Sequence, residues 1–254
     1  MASLANTTRI FSAEERKARR ELAAAFRLAA HFGWDDTLAT HMSARLPDGT
    51  FLMNPFGLMF DEITASSLMR MDLDGTVLEM PEGLMLNPAG YGVHSAVLIG
   101  RPDMNAAMHF HSLDGVAVSA LEEGLLPLSQ NALAVWADVG YHEFEGVVDA
   151  VRERESLGRD LGTKHMLLLR NHGTLSCGRS IASAFYRIYS LEWACTAQVR
   201  TLGMGRELHL PPQDVINSMM QVQGTGWIDM YAEGMFWPAM LRKAERECPG
   251  FDDL

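Results

Sequence analysis

Two aspartate–glycine turns, Asp48-Gly49 and Asp74-Gly75, place the strongest limit on how this chain can fold. Each lies between short segments of loosely alternating apolar and polar residues. "TLATHMSARL" precedes Pro47-Asp48-Gly49 and "TFLMN" follows it, and "SSLMRMDLDGTVLEM" repeats the pattern around the second turn. Alternation broken by Asp-Gly is the signature of a β-hairpin, whose strands run antiparallel. A sheet made only of parallel strands is therefore not expected.

Helical spacing fills much of the remaining chain. Ser12 with Glu15 three residues on reads as a capping box for "AEERKARRELAAAFRLAAHF", closed by Gly33. "PAGYGVHSAVLIG" has helical spacing with Pro88 at its first turn. Helices are also expected over "SLDGVAVSALEEG", over Asp149 to Leu161, from Ile181 to Leu202 behind the cap Ser180, near Gln213 to Gln223, and over Gly234 to Glu247. "NAAMHFH", "KHMLLLR" and "TLSC" read as strands, while "ALAVWADVGY" fits strand or helix. With no repeat and no linker, the expectation is one α/β domain over 1–254, a mixed sheet covered by helices.

Charge and cysteines narrow the function. Thirty-two acidic against 21 basic residues give a net charge of −11. Such a balance argues against nucleic acid or an anionic membrane as partner, both of which require a basic face. No apolar run reaches the length of a membrane span, and the N-terminus lacks the apolar stretch of a secretory signal. Cys177, Cys195 and Cys248 are odd in number and scattered, so a reducing, cytoplasmic setting is expected.

The chemistry-bearing residues are histidines. His109 and His111 lie two apart at the end of an apolar strand, so both imidazoles point to one face. Spacing alone leaves metal binding, acid–base work and plain packing open. His172, in "LLLRNHGTL", stands at the mouth of another apolar strand and is the candidate third ligand of a three-histidine cup.

These motifs also carry a resemblance. "GWDD…ATHMSAR", "NPFGLMFDEITASSLMRMDLDG", "NPAGYGVHSAVLIGRPDMNAAMHFHS", "AVSALEEGLLPLS", "VGYHEFEG", "LLLRNHGTLSCG" and "AFYRIYSLEWACTAQVRTL", spread in order over roughly residues 14 to 202, resemble the class II aldolase/adducin superfamily, most closely its adducin-like branch. The resemblance implies a three-layer α/β/α domain around a central, largely antiparallel mixed sheet, with residues 203–254 as a helical extension. It implies that His109, His111 and His172 ligate a divalent metal, zinc first, with manganese or iron(II) as alternatives. It further implies a homo-oligomer, commonly a tetramer with sites at subunit interfaces, and cleavage of a bond next to a carbonyl of a small-molecule substrate, the metal acting as Lewis acid.

The chain departs from the sugar-phosphate aldolases of that superfamily. Their "PSSE"-like segment reads "NPAGYGVH" here: Pro88 and Ala89 replace the phosphate-holding serines, and Gly90 stands where the glutamate base would. Their "SG" segment reads Phe56-Gly57, and "N-x-S-x-R" reads His41-Met42-Ser43-Ala44-Arg45. A phosphorylated sugar is thus not the expected substrate. Phe56, Gly57, Gly90 and Arg45 are the candidate substrate-binding residues, with Arg45 or Arg170 able to hold a carboxylate. His41, His94 and Tyr141 are the candidate catalytic residues, His142 a further one, and Met53, Met59 and Phe60 beside Phe56 suggest an apolar or aromatic substrate. Decarboxylation needs no base to remove a carbon-bound proton, so it tolerates the missing glutamate better than aldol cleavage does. Two other readings stand beside the lyase: a non-catalytic, adducin-like binding module, and an iron(II) oxygenase using the same histidines.

Overall fold

The computed structural model describes residues 11–146, 150–223 and 226–254. Its strands, in chain order, are β1 (His41–Arg45), β2 (Phe51–Met53), β3 (Met69–Met71), β4 (Val77–Glu79), β5 (Ala106–Phe110), β6 (Val139–His142), β7 (Met166–Leu169) and β8 (Gly173–Gly178). They form one eight-stranded sheet in the order β4-β3-β2-β1-β5-β8-β7-β6. The two expected hairpins are β1–β2 and β3–β4, both antiparallel. Among the described residues only β6 and β7 pair in parallel, so the sheet is mixed and largely antiparallel, as the turn chemistry requires.

The helices are α1 (Ala13–Phe32), α2 (Pro88–Gly100), α3 (Leu113–Ser119), α4 (Gln130–Val135), α5 (Ala150–Leu161), α6 (Ile181–Gly203), α7 (Gln213–Gln223), α8 (Trp227–Tyr231) and α9 (Trp237–Glu247). Strand parity sorts them into two layers. Met42 and Ala44 of β1 and Ala106, Met108 and Phe110 of β5 pack with Leu22, Phe26 and Ala29 of α1 and Ile181, Phe185 and Ile188 of α6. The alternate residues, among them Ala107, Leu175 and Cys177, face Val93 and Val97 of α2 and Leu157 and Leu161 of α5. Each large apolar side chain fully removed from water in these two layers contributes about 1.5–3 kcal/mol before conformational entropy is subtracted.

Local signals explain most element ends. The Ser12 hydroxyl accepts from the Glu15 amide at 3.1 Å, which is one half of the expected box, while the Glu15 carboxylate pairs with Arg19. Asn87 caps α2, whose first residue is Pro88, and Ser180 caps α6. Arg19 is fully buried on α1 and ties three regions together. Its guanidinium donates to Glu15, to Glu79 at the end of β4, and to the carbonyls of Ala65 and Leu68.

Three expectations change. The helix expected over "SLDGVAVSALEEG" ends at Ser119, because the chain turns through Ala120 to Gly124 and the Leu125 amide donates to the Tyr141 hydroxyl. "ALAVWADVGY" is neither one helix nor one strand: α4 passes through a short 3-10 turn, Trp136–Asp138, into β6. The tail helix begins earlier than Gly234, at Trp227, and continues through a π-helical segment, Ala232–Phe236, into α9. Phe236, Trp237, Ala244 and Phe251 then complete the apolar layer over α1 and α6, so this extension is part of the core. Asp149, the expected start of α5, lies outside the described residues.

Candidate metal centre

His109 and His111 emerge together at the end of β5, on the face of the sheet that carries α2. The third histidine arrives through the turn between β7 and β8. Asn171 there adopts a left-handed conformation with φ of 56°, a region asparagine tolerates better than most residues. Gly173 lets the turn close: a Cβ on it would lie 2.2 Å from the Phe110 carbonyl oxygen and 3.2 Å from Cδ2 of His111. "NHG" is therefore a device for pressing one strand start against the end of another. It brings His172 to ring-centroid distances of 4.7 Å from both His109 and His111. One ligand nitrogen from each of the three lies within 4.8 Å of the others.

Hydrogen bonds fix which nitrogen two of the three rings offer. Nδ1 of His109 donates to the Thr174 carbonyl at 2.9 Å, and Nδ1 of His111 donates to Oδ2 of Asp36 at 3.2 Å. A carbonyl and a carboxylate only accept, so both Nδ1 atoms carry the proton and both Nε2 atoms carry a lone pair. Those two Nε2 atoms stand 2.8 Å apart. Two lone pairs at that distance repel unless a cation or a shared proton lies between them. Burial, the largest influence, holds His109 well below the usual imidazole range, and holds His172 down to about 4 with help from His111 and His142. Protonation is thereby disfavoured, while a divalent cation fits the donor set: three imidazoles, two of which have their other nitrogen held by a carbonyl or a carboxylate.

His41 extends the group. The β1–β5 register puts it directly opposite His109, with ring centroids 5.0 Å apart. Its Nδ1 is hydrogen-bonded to Nε2 of His94 at 2.8 Å, and Nδ1 of His94 to the Ser43 hydroxyl at 2.6 Å. All three side chains are buried. Desolvation pushes His94 down to about 3 and His41 well below its ordinary value, the latter aided by the neighbouring imidazoles. Gly90 faces the same group from α2, and a Cβ on it would lie 2.7 Å from Cδ2 of His41 and 2.6 Å from Cε of Met53.

The other candidates are placed differently. Phe56 and Gly57 lie beyond β2, where Phe56 exchanges backbone hydrogen bonds with Met85. Arg45 shares the His41 face but sits four residues along β1, about 13 Å away at ~3.3 Å per residue. Its guanidinium donates to the Leu98 carbonyl, so it is not brought to the histidines. Tyr141 is not brought there either: its hydroxyl accepts from Leu125, and Arg170, which donates to the Leu121 and Glu122 carbonyls, stacks 4.5 Å from its ring centre. His142 points to the other face of β6, where its Nδ1 donates to Asp160 at 2.8 Å. Its buried Nε2 has no partner among the described residues. Asp36 is a residue that sequence reasoning passed over, although "GWDD" preceded the strand it supports.

A sheet of this order between two helical layers, with three imidazoles at the meeting of β5 and the β7–β8 turn, defines the class II aldolase type of α/β/α protein. Residues 20–199 match the Class II Aldolase and Adducin N-terminal domain, and the chain belongs to that family. A Caulobacter vibrioides protein that carries the provisional name of a class 2 aldolase is 46% identical over 245 residues, covering 95% of this chain and 94% of the relative. Alpha-adducin of Mus musculus is 43% identical over 192 residues, which span 74% of this chain and 26% of the adducin. Among solved structures, L-fuculose 1-phosphate aldolase from Glaciozyma antarctica superposes with a TM-score of 0.81 at 27% identity, covering 96% of this chain and 97% of that one. Among the described residues, no helix is long and apolar enough to cross a membrane.

Proposed function

We propose that this protein is a divalent-metal-dependent carbon–carbon lyase, acting by retro-aldol cleavage or decarboxylation on a small, non-phosphorylated substrate. The observation that carries the reading is the pair of facing Nε2 lone pairs of His109 and His111, 2.8 Å apart and joined by His172. His109, His111 and His172 would hold the ion, zinc by preference and manganese or iron(II) otherwise. The bound ion supplies Lewis-acid polarisation of a carbonyl oxygen, which stabilises the charge left when the adjacent C–C bond breaks.

The chain's own residues supply the proton chemistry. His41 uses Nδ1 for His94, leaving Nε2 as the nitrogen available to a substrate beside His109. If the Ser43 hydroxyl donates to His94, then His94 donates to His41 and Nε2 of His41 carries the proton. If every bond reverses, that nitrogen carries the lone pair. His41 can thus act as acid or base by tautomer exchange, with His94 as its positioning partner and no net charge buried. His41 takes the space that a glutamate at position 90 would occupy, so loss of the base at Gly90 and gain of an imidazole belong together.

Two features support a substrate without phosphate. Ala89 and Phe56 offer no hydroxyl, and the first free amides of α2, on Ala89 and Gly90, are already capped by the Asn87 side chain at 3.1 and 3.3 Å. That helix end is therefore not open to an anion. We also assign the chain to one domain and to a homo-oligomer with the sites near subunit contacts. Leu113 and Trp193, exposed at 88% and 51%, and Met230 and Met235 on the tail support this. Three unpaired cysteines support a cytoplasmic location.

Metal analysis of protein purified without added metal tests the function. The expected result is a divalent ion bound per chain, removed by chelator, absent from His109→Ala, and required for release of CO2 or aldehyde from hydroxy- and keto-acid panels. No ion bound at micromolar concentration sinks the lyase and leaves an adducin-like binding role. Iron with O2 consumption replaces it with the oxygenase.

A further inference from the structure

The three imidazoles occupy the α2 face of the sheet, and the opposite face of the same strand ends carries a buried acid. Glu192 of α6 is 1% exposed. Its two carboxylate oxygens each accept a hydroxyl, Oε2 from Ser112 and Oε1 from Thr174. Both hydroxyls belong to residues that hold the histidine-bearing backbone. Ser112 follows His111 directly and starts α3 by accepting from the Gly115 amide at 3.0 Å. Thr174 stands two residues after His172, and its carbonyl is the acceptor for Nδ1 of His109. One carboxylate therefore reaches the residue next to His111, the hydrogen-bond partner of His109, and the residue two after His172.

The packing around this junction is specific to it. A Cβ on Gly115 would lie 2.6 Å from the Ser112 hydroxyl and 2.8 Å from Cγ2 of Thr174. Glycine is thus required there for the two hydroxyls to reach one acid. Burial raises the Glu192 carboxyl to about 7, opposed by its two hydroxyl donors and reinforced by Asp114. An apolar residue on α6 would fill the space without that desolvation cost.

We propose that Glu192 is a positioning residue of the metal centre, holding the end of β5 and the β7–β8 turn at the spacing where His109, His111 and His172 converge on one cation. The proposal rests on the metal reading of those histidines. Its physical content is that two hydroxyl arms clamp strand ends whose relative position decides whether three rings meet. Second partners of metal ligands typically change affinity by about 10–100-fold when removed.

Cobalt(II) titration of the full chain, read by visible absorption, tests this without reference to turnover. Glu192→Gln exchanges one hydroxyl-accepting oxygen for a donating amide at nearly constant shape, and Thr174→Val removes one arm while keeping the backbone carbonyl and the branched side chain. Both variants should bind cobalt about 10–100-fold more weakly than the parent, with altered absorption bands. Should Glu192→Gln not fold, Thr174→Val decides alone. A purely structural role would lower the melting temperature of the metal-free protein while leaving cobalt affinity and bands unchanged, and that result overturns the proposal. A parent chain that binds no cobalt overturns the metal reading itself, and the proposal with it. An intact parent site beside unchanged variants overturns only the role of Glu192.

Discussion

The ring of His41 and the missing side chain of Gly90 are two halves of one packing solution, since a Cβ on Gly90 would lie 2.7 Å from Cδ2 of His41. Gly90→Ala should therefore destabilise the protein, by about 1–3 kcal/mol, a usual range for overpacking a filled core. In the background of His41→Ala the same methyl should be tolerated, because the other close atom, Cε of Met53 at 2.6 Å, is the end of a flexible side chain that can move into the space the ring leaves. Chemical denaturation of the parent, both single variants and the double variant closes the cycle. A coupling energy near zero would mean the two residues do not share the space.

Asp36 should matter to metal affinity out of proportion to its exposure. It accepts from Nδ1 of His111 and so keeps the lone pair of that ring on Nε2. Asp36→Ala should weaken zinc binding by about tenfold, the low end of such effects because the carboxylate is solvated. Competition with a chromophoric chelator measures it, and an unchanged dissociation constant would show that His111 is oriented by packing alone.

Much of this geometry could be read in the residues before any coordinates. The spacing of His109 and His111 fixes a shared face, and "NHG" marks a tight turn that delivers a third ring. The Asp-Gly turns announce antiparallel hairpins. What periodicity cannot carry is strand order. It assigns His41 to a face of β1 but not to the partner β5, so the pairing of His41 with His109 was not legible. For the same reason Arg45 could be mistaken for a residue of the site: it shares the parity of His41 but lies farther along the strand. Asp36 and Glu192 come from segments 75 and 80 residues from their partners, His111 and Ser112, and only tertiary packing joins them. The tail hid its role because a helix with one apolar stripe suits a core, an interface or a lid equally well.

Arg19 predicts a large effect far from the histidines. It is fully buried, and its ion pairs join Glu15 on α1 to Glu79 at the end of β4. Arg19→Met keeps the volume but removes the 3.0 Å ion pair of the buried Glu15 carboxylate, while Arg70 stays 3.6 Å from it. Removing one member of a buried pair costs about 3–5 kcal/mol, and Arg70 should hold the loss toward the lower figure. The double variant Arg19→Met, Glu15→Leu should recover part of that loss. Urea denaturation of both variants is the check. A double variant less stable than Arg19→Met would contradict the lost-ion-pair account.

Acid should unfold the metal-free protein from the region of its histidines. His41, His94, His109 and His172 all titrate in the folded chain below the ordinary imidazole value, chiefly because burial penalises the charged ring. Between that ordinary value, about 6.5, and the folded values, the unfolded chain binds more protons. Stability is thus fully present above about pH 6.5 and is lost as pH falls through the window toward about 4 and below. Glu192 has the opposite sign: raised to about 7, it takes up a proton on folding between its ordinary value and neutrality. Burial raises Glu21 and Asp35 as well, with the same opposing sign, so three carboxyls oppose four imidazoles and the expected net slope is a loss in acid. Calorimetry in chelator between pH 7.5 and about 5 should show a falling melting temperature. Saturating zinc should raise the melting temperature at neutral pH, and this stabilisation should shrink on acidification as protons compete for the same nitrogens. A metal-free melting temperature that is flat or rises across that range would mean these histidines are not held neutral by the fold.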